Sequence, residues 1–247
     1  MRKSKIEWTE QTWNPSVGCT KVSAGCQNCY AEIMARRLKA MGTKGYENGF
    51  EFSLVPERLE QPLNVKKPTK FFVNSMSDLF HEKIPFTYLD AIFDVIEQTP
   101  WHTYQILTKR EKIMVEYFKD RILPKNVWLG VTVENRRTKQ RIDYLRNISA
   151  TIRFISIEPL LEDIGSLNLE NIHWVIVGGE SGVKARPMER EWALNIKHEC
   201  ETQNVAFFFK QWGAWGSDGI KRNKKENGRE LEGQIYDEYP ELIEEYI

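Results

Sequence analysis

The sequence lacks most of the features that identify a function at first reading. Lysine plus arginine and aspartate plus glutamate are balanced at 35 each, so no overall field draws the chain to nucleic acid or to a membrane surface. No apolar run reaches the length of a membrane span, and residues 1–7 lack the apolar segment of a signal peptide. There is no P-loop, dinucleotide fingerprint, Ser/His/Asp arrangement or metalloprotease helix. We therefore expect a cytoplasmic protein whose function depends on local features.

Cysteine is scarce, and its distribution is uneven. Three of the four cysteines, Cys19, Cys26 and Cys29, lie in one stretch with the spacing C-x6-C-x2-C. Three thiolates from one loop can hold a metal ion or an iron–sulfur cluster, and a reducing compartment favours ligation over disulfides. Gly18 and Gly25 allow the loop to fold back. Because three ligands leave one coordination position open, the spacing favours a reactive iron–sulfur cluster.

Two other interpretations of this stretch stay open. A distant histidine could complete a closed zinc site, or the three cysteines could be small buried side chains without a ligand. We expect structural or surface roles for the scattered histidines, with His81, just past a predicted strand, the best placed to be an exception. Cys200 follows Ala193 and Ile196 at helical spacing, which predicts a core thiol. The histidines are His81, His102, His173 and His198.

Short apolar segments alternate with amphipathic helical stretches through most of the chain. Near-continuous apolar strands between helices predict a parallel sheet covered by helices. Together with the segment before the cysteines they make about six or seven strands, which suits an open or partial (β/α) barrel. The predicted strands are 71–73, 104–107, 127–131, 154–157, 174–177 and 206–209.

Apolar residues at three- and four-residue steps predict the helices between these strands. The first helix follows Cys29 and stops at Gly42, and the second ends before Pro100. Others are expected near 110–119, 135–148 and 190–202. The repeating positions are Tyr30, Ile33, Met34, Leu38 and Met41 in the first helix, and Leu89, Ile92, Phe93 and Ile96 in the second.

Each predicted strand is followed by charged or hydrogen-bonding residues. Any one such segment is typical of an ordinary loop. In a parallel barrel, however, all of them converge on the face that carries active sites, and the cysteine stretch follows the first strand. Asp78 could hold an amine or cap the following turn, and the glycines of 178–182 could let backbone amides approach a ligand or simply form a tight turn. The segments are 74–78, 108–110, 132–135, 158–159, 178–182 and 210–213.

The end of the chain differs in composition. Residues 216–247 are polar, and we expect them to form an extension packed on or beside a barrel of residues 1–215. The basic residues Lys221, Arg222, Lys224 and Lys225 could touch a phosphate backbone. A solvated surface loop is the favoured interpretation, because glutamates follow at once and no aromatic residues are interleaved.

Several long motifs resemble the phage-associated three-Cys-motif family, which is grouped with the radical S-adenosylmethionine (SAM) superfamily. The similarity runs through most of the chain and into the tail. The matching segments are IEWTEQTWNPSVGCTKVSAGCQNCYAE, FFVNSMSDLFHE, ILTKR, GVTVEN, SIEPLL, VIVGGESG, ARPM, FFKQWG and GRELEGQIYDEYP.

The resemblance implies a partial (β/α)6 barrel and a [4Fe–4S] cluster held by Cys19, Cys26 and Cys29. The open iron would bind SAM, and reduction would cleave SAM to a 5′-deoxyadenosyl radical that abstracts hydrogen from a substrate. By position, the resemblance implies SAM contacts at Ser75, Ser77, Asp78, Glu134, Asn135, Glu158, Gly178, Gly179, Glu180 and Ser181. It leaves Lys109, Lys210, Gln211 and Trp212 for the substrate side.

The resemblance also implies partners, and it includes one departure. An electron donor is required, a protein partner is compatible with the chain, and phage association suggests nucleic acid or a nucleotide as substrate. Most members of the superfamily space their cysteines C-x3-C-x2-C, whereas here the first gap is six residues. A metal-cluster module that binds or processes nucleic acid without radical chemistry, and a zinc-stabilised partner protein, are therefore the alternative functions. Removing the Asp78 carboxylate is expected to weaken SAM binding and to leave the cluster in place.

Overall fold

A computed structural model of the chain describes residues 4–241. These residues form two compact units. The first comprises 4–22, 29–129 and 147–151, and the second comprises 23–28, 130–146 and 152–241.

Seven strands form one sheet, in the order β1-β4-β5-β6-β7-β8-β9, which confirms the α/β partial-barrel class. In chain order the helices and strands are β1 (Gln11–Trp13), β2 (Ser16–Val17), α1 (Tyr30–Ala40), β3 (Ser53–Leu54), β4 (Lys70–Val73), α2 (Phe86–Glu97), β5 (Thr103–Thr108), α3 (Glu111–Phe118), β6 (Val127–Thr132), α4 (Arg141–Arg146), β7 (Ile152–Ile157), β8 (Trp174–Gly178), α5 (Arg190–Thr202), β9 (Ala206–Gln211), α6 (Lys224–Asn227), β10 (Glu230–Leu231) and β11 (Gln234–Ile235). All six strands predicted after the cysteine stretch are present, within one or two residues of their expected ends.

In the first unit, β1 pairs with β4 and β4 with β5, both in parallel. Phe71, Phe72 and Val73 of β4 are all buried, as expected for a strand covered on both faces. The predicted apolar face of α2 is buried as well, which confirms that helix and its orientation. The short strands β2 and β3 pair antiparallel and lead the chain into and out of the cysteine stretch and α1.

Helix α1 is present where the periodicity predicts it, but a different face is buried. Ala31 and Ala35 lie in the core, whereas Tyr30, Ile33 and Met34 are exposed. Small side chains let the helix lie close to its neighbours, so alanines rather than the larger apolar residues form its contact face. The alanines pack in a cluster with Val17, Tyr46, Val55 and Met76, to which Cys29 adds a partly buried side chain.

In the second unit, β7 pairs with β8 and β8 with β9, again in parallel. Helix α5 spans the predicted range and buries Cys200, and burial raises the pKa of that thiol. The residues after β9 contact the strands: Trp212 donates its indole N–H to the Glu230 carbonyl, and Phe209 N–H bonds the Tyr236 carbonyl. No helix within residues 4–241 is long and apolar enough to cross a membrane.

Candidate metal and cofactor site

The entry to the cysteine stretch is held by backbone contacts. Gly18 has φ +75°, and its N–H bonds the Met76 carbonyl at 3.0 Å. The Ser77 hydroxyl donates to the Gly18 carbonyl at 2.6 Å, and Cys19 N–H bonds the Phe50 carbonyl at 3.3 Å. Long-range bonds therefore hold Gly18 and the peptide that joins it to Cys19, and the sequence-predicted residue Ser77 makes one of them.

The side chain of Arg110 places a positive charge beside the sulfur of the first cysteine. Its guanidinium is 5% exposed. One terminal nitrogen lies 3.4 Å from the Cys19 sulfur and 3.2 Å from Asp78 Oδ2. The other donates to the carbonyl and hydroxyl oxygens of Thr20, and Nε donates to Glu82 at 2.9 Å. Four hydrogen bonds and the ion pair with Asp78 thus hold the guanidinium in place.

The carboxylates of Asp78 and Glu82 lie beside Arg110 and stabilise its positive charge. Burial opposes the charge on Arg110, but Asp78 and Cys19 outweigh burial and raise the pKa of the guanidinium. Partial burial alone would raise the pKa of Glu82, whereas its own backbone N–H and the donors of Thr20 and Arg110 lower it to about 2. The site therefore carries one guanidinium cation with a charged Glu82 carboxylate beside it.

Asp78 is saturated by the protein itself. Its Oδ1 accepts from the Thr108 hydroxyl at 2.7 Å and from Phe80 N–H at 3.0 Å. Its Oδ2 accepts from Lys109 N–H at 2.9 Å and lies beside Arg110. Three hydrogen bonds and the ion pair with Arg110 together occupy the roughly four acceptor positions of the carboxylate. Asp78 thus joins two strand ends, as cap and ion-pair partner together, and Lys109 contributes its backbone.

His81 adds a neutral group to the same network. Its ring stacks on Phe52 with centroids 4.2 Å apart, and its Nε2 lies 3.2 Å from the Thr20 hydroxyl. Burial lowers the pKa of His81, so the imidazole is neutral near pH 7. Sequence reasoning singled out His81 but missed Thr20, Glu82 and Arg110. The signal for Arg110 was its place at a strand end, and for Thr20 its place next to Cys19.

Ser75 points toward the start of the chain. Its hydroxyl donates to Asn14 Oδ1 at 3.1 Å, and its carbonyl accepts from the Tyr30 hydroxyl. Tyr30 directly follows Cys29, which precedes α1 as its N-cap residue. Ser75 therefore helps to position the start of α1 and the cysteine before it.

In the second unit, Glu134 holds the middle of the cysteine stretch. Its fully buried carboxylate accepts from Gly25 N–H at 3.3 Å and pairs with Arg141 at 2.8 Å. A Cβ on Gly25 would come within 3.1 Å of that carboxylate, so a glycine permits the close approach. Residues Ala24–Cys26 form a short 3-10 turn, and this contact holds its middle residue.

Glu180 holds the end of the same segment. It accepts from the Asn28 amide at 3.0 Å and from the backbone and side chain of Arg186, each at 2.9 Å. Arg186 in turn donates to the Ala24 carbonyl at 3.0 Å. Burial would raise the pKa of Glu180, but the donors of Arg186 and Asn28 lower it, so the carboxylate is charged.

Three of the predicted cofactor-binding carboxylates therefore share one arrangement. Asp78, Glu134 and Glu180 each lie beside an arginine, and each belongs to a network that touches the cysteine stretch. Buried charges require such partners, because an isolated charge loses its hydration without compensation. Within each unit, these strand ends thus contact the part of the cysteine stretch that belongs to that unit.

The remaining predicted residues of the second unit lie at the ends of β7, β8 and β9. Glu158 pairs with Lys210 at 3.0 Å and accepts from the Ser156 hydroxyl at 3.3 Å. A Cβ on Gly178 would lie 2.5 Å from Glu158, so the glycine leaves room for the carboxylate. The side chains of Glu158 and Lys210 are 14% and 18% exposed, which leaves this pair within reach of solvent.

The loops next to that pair are packed against each other. A Cβ on Gly179 would come within 1.9 Å of the Trp212 carbonyl, so only glycine fits there. Gln211 donates its amide N–H to the Ser181 hydroxyl at 3.1 Å, and the Trp212 ring is buried. Asn135 holds the turn after β6, since the Thr138 hydroxyl donates to its Oδ1 at 3.2 Å. The sequence-based SAM and substrate assignments at these positions stay predictions.

The cysteines fit a metal or cluster by donor chemistry. Cys19, Cys26 and Cys29 form no disulfide and are of intermediate exposure, whereas Cys200 is buried. The guanidinium beside Cys19 suits a sulfur that carries negative charge, as a ligand thiolate does. Among residues 4–241, no three His, Cys, Asp or Glu side chains are grouped closely enough to hold a metal ion. The assignment of the three cysteines as ligands stays a prediction.

Solved structures of spore photoproduct lyase have a similar fold. A cysteine-to-serine variant of that protein aligns with a TM-score of 0.52 and 14% identity, covering 93% of this chain and 73% of the solved chain. A variant of spore photoproduct lyase with bound AdoMet and dinucleoside spore photoproduct aligns with a TM-score of 0.44 and 11% identity over 80% of this chain. In that complex, and in one with the dinucleoside spore photoproduct, this chain spans 62% of the solved chain. At these identities the likeness shows the fold alone.

The sequence comparisons place the chain in a family. No curated protein sequence matches it significantly. A family profile described as "Protein of unknown function (DUF5131)" matches residues 3–240, nearly the whole chain. The chain therefore belongs to the DUF5131 family.

Proposed function

We propose that this protein is an iron–sulfur, SAM-dependent radical enzyme. Cys19, Cys26 and Cys29 would hold a [4Fe–4S] cluster with one iron open to SAM. When bound, this cofactor pair supplies an electron that cleaves SAM to methionine and a 5′-deoxyadenosyl radical, which abstracts hydrogen from the substrate. The likeness of fold to spore photoproduct lyase supports the proposal, as does the resemblance of the motifs to the radical SAM superfamily.

One observation carries the proposal most directly: a buried guanidinium points an N–H at the Cys19 sulfur. A neutral, unliganded thiol stabilises a buried cation only weakly. A ligand thiolate stabilises it more, because the thiolate accepts a charge-assisted hydrogen bond. The segment with Cys26 is supported separately by Glu134 and Glu180. A stretch held in this way is preorganised for ligation, as metal sites require of their surrounding residues.

The roles of the chain's own residues follow from their contacts. Asp78, Glu134 and Glu180 support the cysteine stretch, and Ser77 fixes the backbone before Cys19. Among the described residues, Lys210 and Ser156 contact the Glu158 carboxylate, which leaves about two of its acceptor positions for a ligand. We therefore place SAM binding at the ends of β7 and β8, with Glu158 and the backbone of Gly178–Ser181 as its contacts.

Paired carboxylate variants separate support from SAM binding. We expect Glu158→Gln to weaken SAM binding about tenfold while iron content stays unchanged, because one charged acceptor is lost. We expect Asp78→Asn to lower iron retention, because all four of its acceptor positions hold protein groups, including Arg110. Equilibrium dialysis of SAM against anaerobic protein, with iron measured on the same samples, checks both.

The opposite result would show that Asp78, and not Glu158, contacts SAM. If Asp78→Asn weakened SAM binding at full iron content, its role would be the one predicted from the sequence. Exposed Glu57, which pairs with Lys44 at the surface, supplies a control carboxylate, and Glu57→Gln is expected to change neither quantity.

The substrate class that we propose is nucleic acid or a nucleotide, on the strength of the resemblance to a phage-associated family. A one-electron donor is the required partner. Lys210, next to Glu158, lies where a substrate phosphate could be met, and Lys109, Gln211 and Trp212 complete the proposed substrate side. Of these, Trp212 acts through packing, since its ring is buried.

Anaerobic purification tests the proposed function. A brown protein with a [4Fe–4S] spectrum that forms 5′-deoxyadenosine from SAM on reduction with dithionite is the expected result. A colourless protein with one zinc per chain would exclude it and favour a zinc-stabilised partner protein. A cluster without SAM binding would favour a metal-cluster module without radical chemistry.

A further inference from the structure

We propose that Arg110 sets the reduction potential of the cluster through its contact with the Cys19 sulfur, and that Glu82 opposes this effect. The inference rests on the proposed function for the presence of an iron–sulfur cluster, and on nothing else in it. Neither residue is one of the proposed cluster ligands. Arg110 is therefore a positioning and tuning residue, distinct from the cysteines themselves.

The contact geometry supports a specific effect at one sulfur. The terminal nitrogen of Arg110 is 3.4 Å from Cys19 Sγ, within the range of a hydrogen bond to sulfur. Hydrogen bonds to cluster sulfurs and nearby charge are two of the levers that set cluster potentials. The reduced cluster carries one more negative charge than the oxidised one, so a nearby cation favours reduction.

The guanidinium cannot turn away from the sulfur without losing its other partners. Thr20 accepts from it through both its carbonyl and its hydroxyl, and Asp78 and Glu82 flank it. Thr20 is itself tied to Glu82 at 2.8 Å and to the buried ring of His81. The cation is therefore held in place beside the residue that follows Cys19, and its field acts on that sulfur permanently.

The charges around Arg110 predict the sign of each substitution. One guanidinium and two carboxylates, Asp78 and Glu82, lie in contact, and His81 is neutral. Removing the cation leaves two carboxylates near the sulfur and disfavours reduction. Removing the Glu82 carboxylate leaves the cation better able to stabilise the added electron. The buried guanidinium still pairs with Asp78 at 3.2 Å, so this second change does not leave a buried unpaired charge.

The test is a dithionite redox titration of the anaerobic protein in the absence of SAM, followed by EPR. We expect Arg110→Gln to lower the equilibrium constant for one-electron reduction about tenfold, which is about 59 mV for such a couple. We expect Glu82→Gln to shift the potential in the opposite direction, upward, and by less, because its charge is partly screened by solvent. Arg110→Lys keeps the positive charge but loses the planar array of guanidinium N–H donors. The cluster potential of this variant should lie between those of the wild type and Arg110→Gln.

Glu57→Gln is the matched control. Glu57 has an exposed fraction of 46%, against 47% for Glu82, and pairs with Lys44. The cluster potential of Glu57→Gln is expected to equal that of the wild type. If Arg110→Gln does not retain iron, Glu82→Gln and Arg110→Lys carry the measurement.

Two outcomes would overturn the inference. One is a wild-type potential in Glu82→Gln and in every Arg110 variant that retains the cluster. The other is a downward shift in Glu82→Gln. Failure of the proposed function looks different: a wild-type cluster that does not cleave SAM leaves the potentials measurable, and a wild-type protein without iron overturns both proposals at once.

Discussion

Replacing any one of Cys19, Cys26 or Cys29 with alanine is expected to abolish cluster retention. Three thiolates are the whole protein contribution to such a cluster, so the loss of one leaves two ligands and two open irons. Each of the three thiols is partly exposed and lies in the one stretch of the chain where cysteines are close in sequence. Iron and sulfide content and the visible spectrum of anaerobically purified protein measure the result.

Cys200→Ala is the control for these variants. Cys200 is a buried thiol in α5, and its removal costs roughly 1 kcal/mol of stability through a small cavity. Iron content should remain at the wild-type level. A loss of iron in Cys200→Ala as well would contradict the argument that three cysteines leave one position open.

Gly18→Ala is expected to destabilise the protein strongly and to disturb the first cysteine. Gly18 has φ +75°, where a side chain costs about 1–2 kcal/mol. An added Cβ would also lie 2.1 Å from the Glu51 carbonyl oxygen and 2.7 Å from that of Phe50. Both obstacles are backbone atoms and cannot rotate away. We expect destabilisation of roughly 3–5 kcal/mol, together with loss of iron because Cys19 is the next residue.

Gly42→Ala measures the cost of a side chain at positive φ without any steric overlap of the added Cβ. Gly42 has φ +65°, close to that of Gly18, but nothing lies within 4 Å of an added Cβ. Its cost should be about 1 kcal/mol, from conformation alone, with iron content unchanged. Urea unfolding followed by circular dichroism compares the two variants. Equal midpoints for both would show that the backbone around Gly18 yields without cost.

The order of strands and helices could be predicted from the sequence because both have local causes. Apolar runs such as Phe71–Val73 are continuous where a strand is covered on both faces, and the α2 positions repeat at helical spacing. The predicted range of α5 coincides with the observed helix, Arg190–Thr202. The contact face of α1 could not be predicted in this way. Tyr30, Ile33 and Met34 are exposed, since close packing selected Ala31 and Ala35.

The candidate site also has features that could be predicted from the sequence and features that could not. The spacing of the cysteines and the polar residues after each strand pointed to the region, because parallel strands bring their ends to one edge. Which role each side chain has depends on contacts between distant parts of the chain. Asp78 is saturated by Thr108, Lys109 and Arg110, about 30 residues away, so its part in support could not be deduced from its position.

The sequence by itself determined the α/β class, the three clustered thiols and the places where charged groups follow strands. These depend on periodicity and spacing, which are properties of neighbouring residues. Only the tertiary structure decided that Arg110, 91 residues from Cys19, lies against its sulfur, and that Glu134 and Glu180 hold the segment around Cys26. A buried charge is stable only beside a partner, and folding alone determines which partner it meets.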